Sequence, residues 1–227
     1  QSGMAPLAGD FDVYLLAQTW APQFCCGKPD RCTTASFALS ARRLSLHGLW
    51  PGYSQAREGD TFPANCSTKA KLLTTQLPRE YIDLAPAFTK WNMEKHQAEV
   101  GSLAKHEWLK HGTCSGLSPE EYFAEALRAM QALPGDRGTP KVIEEHIGGE
   151  VPTPALRSEY AKRVALRADK QCALAEVTTC WRKEDDGRVG EQVDCPEHVM
   201  RGRDTKCASL RINQFGQCLR GQQPKKK

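Results

Sequence analysis

The sequence predicts an α+β fold in which an antiparallel sheet is flanked by helices and stabilised by disulfides. Three observations predict it. Strand-like segments stand near both ends of the chain, at Phe11 to Thr19 and Ala173 to Arg182, so a sheet has to pair residues distant in sequence. Between them, Ser118-Pro119-Glu120-Glu121 opens a clear helix. Ten cysteines spread along 227 residues, an even count, suit five disulfides.

Each element follows from its local pattern. Phe11 to Thr19 reads as a strand, and Arg43 to His47 alternates polar and apolar residues as a second strand that delivers His47 at its end. Between Ser67 and Lys90 the residues mix with helical spacing, interrupted at Pro78 and Pro86. Ser118 caps the next helix, Pro119 takes its first position and Glu121 closes a capping box. Its apolar face is Tyr122, Phe123, Ala126, Leu127, Met130 and Leu133. Pro134 to Pro140 is a turn-rich connector, and Thr153-Pro154 restarts a helix that runs through about Ala168. Strands at Ala173 to Arg182 and Ala208 to Asn213 are separated by Asp185-Asp186-Gly187, a hairpin tip. Neither a repeat nor a linker interrupts the chain, so one domain over 1–227 is expected.

Composition narrows the setting. A 40% hydrophobic content is enough for one substantial core, and no run of eighteen apolar residues exists to span a membrane. No charged n-region and apolar h-region opens the chain; Gln1 begins a processed form or follows a signal left out of the sequence. The cysteines lack C-x-x-C spacing, which favours disulfides over metal binding and an oxidising compartment, secreted or vacuolar/lysosomal. Asn65-Cys66-Ser67 fits a glycosylation sequon. A net charge of +4 gives only weak, salt-sensitive attraction to polyanions. The basic tail from Gln222 to Lys227 reads as a disordered end.

Two compact stretches carry chemistry. His106-Glu107-Trp108-Leu109-Lys110-His111-Gly112-Thr113-Cys114 places Glu107 with His111, and His106 with Lys110, on shared helix faces. His47-Gly48-Leu49-Trp50-Pro51 adds another histidine. A zinc protease is excluded by spacing: metal-binding histidines stand at i and i+4, whereas His106 and His111 are five apart, about 140° out of register on a helix. Seen alone, the cluster around 106–111 reads equally well as solvated charge on a helix surface.

The pair HGLWP at 47–51 and HEWLKHGTC at 106–114 resembles the two active-site segments of the RNase T2 family of acid endoribonucleases. Phe11 to Cys25 is similar to that family's first core strand and the turn after it, and Cys172 to Cys207 to its C-terminal strands. The resemblance extends from about Phe11 to Cys218 and implies the same α+β fold. It also implies metal-independent cleavage of single-stranded RNA, with no cofactor, by a monomer. RNA carries a 2′-hydroxyl beside its phosphodiester, so a base creates an internal nucleophile and an acid must protonate the leaving 5′-oxygen.

By resemblance, His111 is the general base, His47 the general acid, Lys110 and Glu107 the transition-state stabilisers and His106 a phosphate ligand. The products would carry 2′,3′-cyclic phosphate and 5′-hydroxyl ends. Trp50 is read as a platform for a nucleobase and Trp108 as core, while His96, His146 and His198 are read as surface histidines. The resemblance pairs Cys66 with Cys114, Cys180 with Cys195 and Cys172 with Cys207. It leaves one of Cys25 and Cys26 for Cys32 and the other for Cys218, with Cys25–Cys32 and Cys26–Cys218 the working assignment. Departures from the family pattern bear on base choice. Gly52 stands where many relatives carry an acidic residue, Leu103 and Ala104 replace aromatics, and Trp91-Asn92 replaces tryptophan-proline. Low base specificity is therefore expected. The rival reading is a secreted binding or signalling protein on a ribonuclease scaffold, acting through a partner surface.

Overall fold

Two long strands and their hydrogen-bonded neighbours form the frame of the computed structural model, which describes residues 6–27, 40–57, 59–67, 80, 85, 89–92 and 97–217. Strand β1 (Val13–Trp20) runs antiparallel to β2 (Leu44–Gly52) on one side and to β7 (Leu174–Lys183) on the other. The far edge of β7 is shared by β6 (Ala165–Ala168) and β8 (Val189–Val193), giving five strands among the described residues. Between β1 and β2 lies the short helix α1 (Ala21–Gly27). A hairpin of β3 (Thr89–Asn92) and β4 (Gln97–Val100) precedes α2 (Ser102–Lys110). Then come α3 (Pro119–Gln131), α4 (Lys141–Glu145), β5 (Glu150–Pro152) and α5 (Thr153–Ser158). After β8 follow α6 (Glu197–Arg203) and β9 (Ser209–Arg211), which pairs with β5. This is the α+β arrangement expected, with helices on both faces of an antiparallel sheet.

Alternation in β1 fills both faces. Tyr14, Leu16 and Trp20 enter the larger core with Tyr122, Phe123 and Met130 of α3, while Val13, Leu15 and Ala17 enter a smaller one with Trp50, Cys180 and Val199. Each fully buried large side chain contributes on the order of 1.5–3 kcal/mol. The capping box predicted for α3 is present: Ser118 Oγ accepts from the Glu121 N–H, and Glu121 accepts from the Ser118 N–H. Tyr122 Oη donates to the Leu49 carbonyl at 2.5 Å, pinning α3 to β2.

Three sequence expectations are corrected. The second strand does not stop at His47; it continues through the motif to Gly52, and Pro51 is tolerated because β2 is an edge strand among the described residues. The helix from Thr153 ends at Ser158, and Ala165–Ala168 is strand β6. Helix-favouring residues there yield to an open edge of β7, where Ala165 and Leu166 are also buried. Finally, the hairpin tip around Asp185-Asp186-Gly187 returns into β8, not into the strand near 208–213, which joins β5 instead. Strand β8 escaped notice because Val-Gly-Glu-Gln-Val offers only two apolar residues.

Disulfides Cys66–Cys114, Cys172–Cys207 and Cys180–Cys195 are formed. Cys25 and Cys26 are both disulfide-bonded. Their expected partners Cys32 and Cys218 lie outside the described residues, as do His96, the tail 222–227 and most of the helical spacing read between Ser67 and Lys90.

Candidate active site

A bulge in β2 aims the first histidine. Ala17 pairs with Gly48 and Gln18 with Leu46, so His47 is the extra residue between two regular registers. The inserted residue leaves both Leu46 and Leu49 on the larger core and turns His47 out toward the face carrying Trp50. Its side chain is 34% exposed.

Helix α2 brings the second segment up against this strand. Glu107 and Trp108 are buried on it, Lys110 is half-buried and His106 exposed. His111 caps the helix, its N–H donating to the Glu107 carbonyl, and a 3-10 turn at Gly112–Cys114 follows. Trp108 packs on Tyr122 and Phe123 in the core. Gly48 and Gly112 have to be glycine: a Cβ at 48 would strike Glu107 Oε2 and Trp50 Nε1, and one at 112 would strike the Trp108 ring. Cys66–Cys114 and the Asn65 N–H, which donates to the Lys110 carbonyl at 2.9 Å, hold the 61–67 segment beside the helix end.

The resulting cleft, about 490 Å³, brings together His47, Trp50, His106, Glu107, Lys110 and His111. All six residues predicted from the sequence therefore meet. Trp50 stands between the histidines, its ring centroid 5.2 Å from His47 and 5.4 Å from His111. It is only 8% exposed, its Nε1 donates to Glu107 Oε2 at 2.6 Å, and the Arg203 guanidinium lies 4.5 Å over its ring. The indole is thus tied to Glu107 through its N–H, with Arg203 over its ring. Phe62 is 44% exposed at the rim, 6.1 Å from the His111 ring, with Lys110 Nζ 5.8 Å from its centroid.

Electrostatics separate the two histidines. Burial, reinforced by Lys110, His106, His47 and Arg203, pushes His111 down to about 3, and its Nδ1 has no hydrogen-bond partner among the described residues. It is therefore neutral near neutral pH. Burial raises the Glu107 carboxyl, opposed by His47, the Trp50 hydrogen bond and Lys110. His47 Nδ1 hydrogen-bonds Glu176 Oε2 at 2.9 Å, while its Nε2, 3.9 Å from Glu107 Oε1, is too far for a hydrogen bond.

Residues that sequence reasoning missed line the opposite wall: Glu176 from β7, Arg167 from β6, and His198 and Arg203 from α6. His198, expected at the surface, borders the cleft, and burial and then Arg201 lower its pKa. The one available signal was Glu176 itself, a carboxylate in a strand-like run between Ala175 and Val177, costly if buried there unless paired. Among the described residues no group of three or more His, Cys, Asp or Glu side chains is arranged to hold a metal ion.

Comparison with known proteins completes this picture, since residues 11–186 match the Ribonuclease T2 family. The chain belongs to that family. It is 34% identical over 135 residues to "Ribonuclease" of Aeromonas hydrophila, covering 56% of this chain and 50% of that protein. It is 28% identical over 200 residues to "Ribonuclease I" of Escherichia coli K12, covering 78% and 68%. The chain thus spans about half the length of the first curated relatives it matches. Among solved structures, trichomaglin, described as an S-like ribonuclease, superposes with a TM-score of 0.61 at 18% identity, over 91% of this chain and 99% of that one. That likeness shows the Ribonuclease T2 fold.

Proposed function

We propose that this chain is a metal-independent endoribonuclease that cleaves single-stranded RNA by transesterification, leaving 2′,3′-cyclic phosphate and 5′-hydroxyl ends. The observation that carries the reading is the asymmetry of the two histidines across Trp50: one buried and neutral, the other hydrogen-bonded to a carboxylate through Nδ1. Neutral His111 takes the proton from the 2′-hydroxyl, and the freed oxygen attacks phosphorus. His47 gives its Nε2 proton to the 5′-oxygen as that bond breaks. Lys110 and His106 face the phosphoryl oxygens, where negative charge builds up. The substrate's negative charge also supports the proton that His111 acquires, which burial disfavours in the free protein.

Phe62 at the rim stacks a base without reading its sequence, and Gly52 offers no side chain for selecting one, so base preference is broad. The chain acts as a monomer without cofactor. The three described disulfides and exposed Asn65 support a secreted or vacuolar/lysosomal setting with a glycan at Asn65. The test is digestion of a mixed-sequence single-stranded RNA in EDTA. Full activity supports the reading, whereas activity lost in EDTA and restored by zinc contradicts metal independence. No cleavage by oxidised protein between pH 4 and 8 would favour a binding protein on a ribonuclease scaffold.

A further inference from the structure

Glu176 is 1% exposed, yet it meets three groups that carry or accept positive charge. Its Oε2 accepts from His47 Nδ1 at 2.9 Å and from Arg167 Nη2 at 3.0 Å, and its Oε1 accepts from Arg203 Nη1 at 3.0 Å and Arg167 Nε at 3.3 Å. The four side chains come from four elements: β2, β6, β7 and α6. Strand register explains the meeting. Glu176 pairs with Thr19 of β1 and Arg167 of β6, and the extra residue Ala175 in β7 breaks the register just beyond it. A second bulge, at His47, lies across β1 on the other side. Two irregularities in adjacent parts of one sheet thus converge on a single hydrogen bond.

We infer that Glu176 is a positioning residue for this reaction, holding the Nδ1 proton of His47 so that Nε2 alone faces the substrate and delivers the proton to the leaving group. The inference rests on the ribonuclease reading and on His47 serving as its acid. A carboxylate can only accept here, so His47 must keep hydrogen on Nδ1 whether the ring is neutral or charged. Burial alone would raise the Glu176 carboxyl, but its bonds to His47 and Arg167 hold it at about 2, so it stays ionised through the working range. Proton balance is simple. The Nε2 proton passes to the 5′-oxygen as the P–O5′ bond breaks, the Nδ1 proton stays in place, and the ring ends neutral with its lone pair on the cleft side. Arg167, which bonds both oxygens, and Arg203 on Oε1 fix the carboxylate, which makes the orientation a property of the fold rather than of one flexible side chain.

Leaving-group dependence tests this directly. A dinucleotide must expel an alkoxide and needs the acid, whereas a uridine 3′-(4-nitrophenyl phosphate) expels a phenolate that needs no proton. Glu176→Gln should lower kcat on the dinucleotide by about 100-fold or more, with KM changed by less than about threefold, and leave the nitrophenyl substrate within about threefold of wild type. Equal losses on both substrates would overturn the inference. Wild-type protein provides a second measurement should the variant not fold: ¹⁵N-detected NMR of neutral His47 should show hydrogen on Nδ1 and a bare Nε2. The reverse tautomer would likewise overturn it. Wild-type protein that cleaves neither substrate would defeat the ribonuclease reading instead, and active wild type with an indifferent Glu176→Gln would defeat this inference alone.

Discussion

Trp50→Phe keeps an aromatic ring between the two histidines and deletes one interaction, the 2.6 Å bond from Nε1 to buried Glu107. A hydrogen bond to an ionised, buried acceptor contributes about 2 kcal/mol, and the smaller ring forfeits about 1 kcal/mol of packing. The variant should therefore be about 3 kcal/mol less stable near pH 7. The sign of the pH dependence follows from Glu107. Burial raises its folded pKa above the ordinary carboxylate value, and the Trp50 bond is one of the groups pulling it back. Removing that bond raises it further, so the variant suffers most where Glu107 is ionised. Near pH 4 the carboxyl is protonated and the lost bond is an ordinary neutral one of about 1 kcal/mol, which brings the total to about 2 kcal/mol. Urea unfolding of both proteins at the two pH values measures the difference. A deficit that is equal at both, or larger at pH 4, would refute the view that Trp50 serves a charged Glu107.

Other outcomes follow from the same geometry. Gly48→Ala should cost about 1–3 kcal/mol in urea unfolding and at least about tenfold in RNA cleavage, because its Cβ occupies the Glu107–Trp50 contact; a neutral substitution would contradict so close an approach. His111 has a folded pKa of about 3 against an ordinary 6.5, so between those values the unfolded chain binds the extra proton and stability falls as pH drops. From pH 7 to 5 this amounts to about 2 kcal/mol, and His111→Phe should lose that slope while the wild type keeps it in denaturant titrations. Replacing Cys66 and Cys114 together by serine should remove about 2–5 kcal/mol of stability, measured by thermal unfolding, because the bridge closes a separation of 48 residues. Lys110→Ala should lower kcat by about 100-fold or more while leaving the melting temperature near wild type.

What the sequence disclosed and what it withheld divide along physical lines. Helix α3 was legible in full because every signal was local: Ser118, Pro119 and Glu121 set its start and a 3.6-residue period set its face. The six cleft residues were legible because they stand in two short runs whose residue types match one chemistry. Strand β6 was not, since Ala161 to Ala168 favours a helix by propensity and becomes a strand only because β7 leaves an edge unpaired beside it. Glu176, Arg167 and Arg203 were equally hidden, being scattered over three elements and joined only through strand register. The surroundings of Trp50 were hidden for a related reason. Arg203 reaches its ring from α6 and Glu107 accepts its N–H, contacts that depend on elements distant in sequence.

The central claim is that His47 and His111 divide acid and base roles in a metal-free transesterification. The most direct measurement is ³¹P NMR of a dinucleotide incubated in EDTA with wild type, His47→Ala and His111→Ala. The account predicts a cyclic-phosphate resonance that accumulates with wild type and is reduced by about 1,000-fold or more in rate with either variant. Direct formation of an acyclic monophosphate with no cyclic intermediate, or a variant of either histidine that retains wild-type rate, would contradict it.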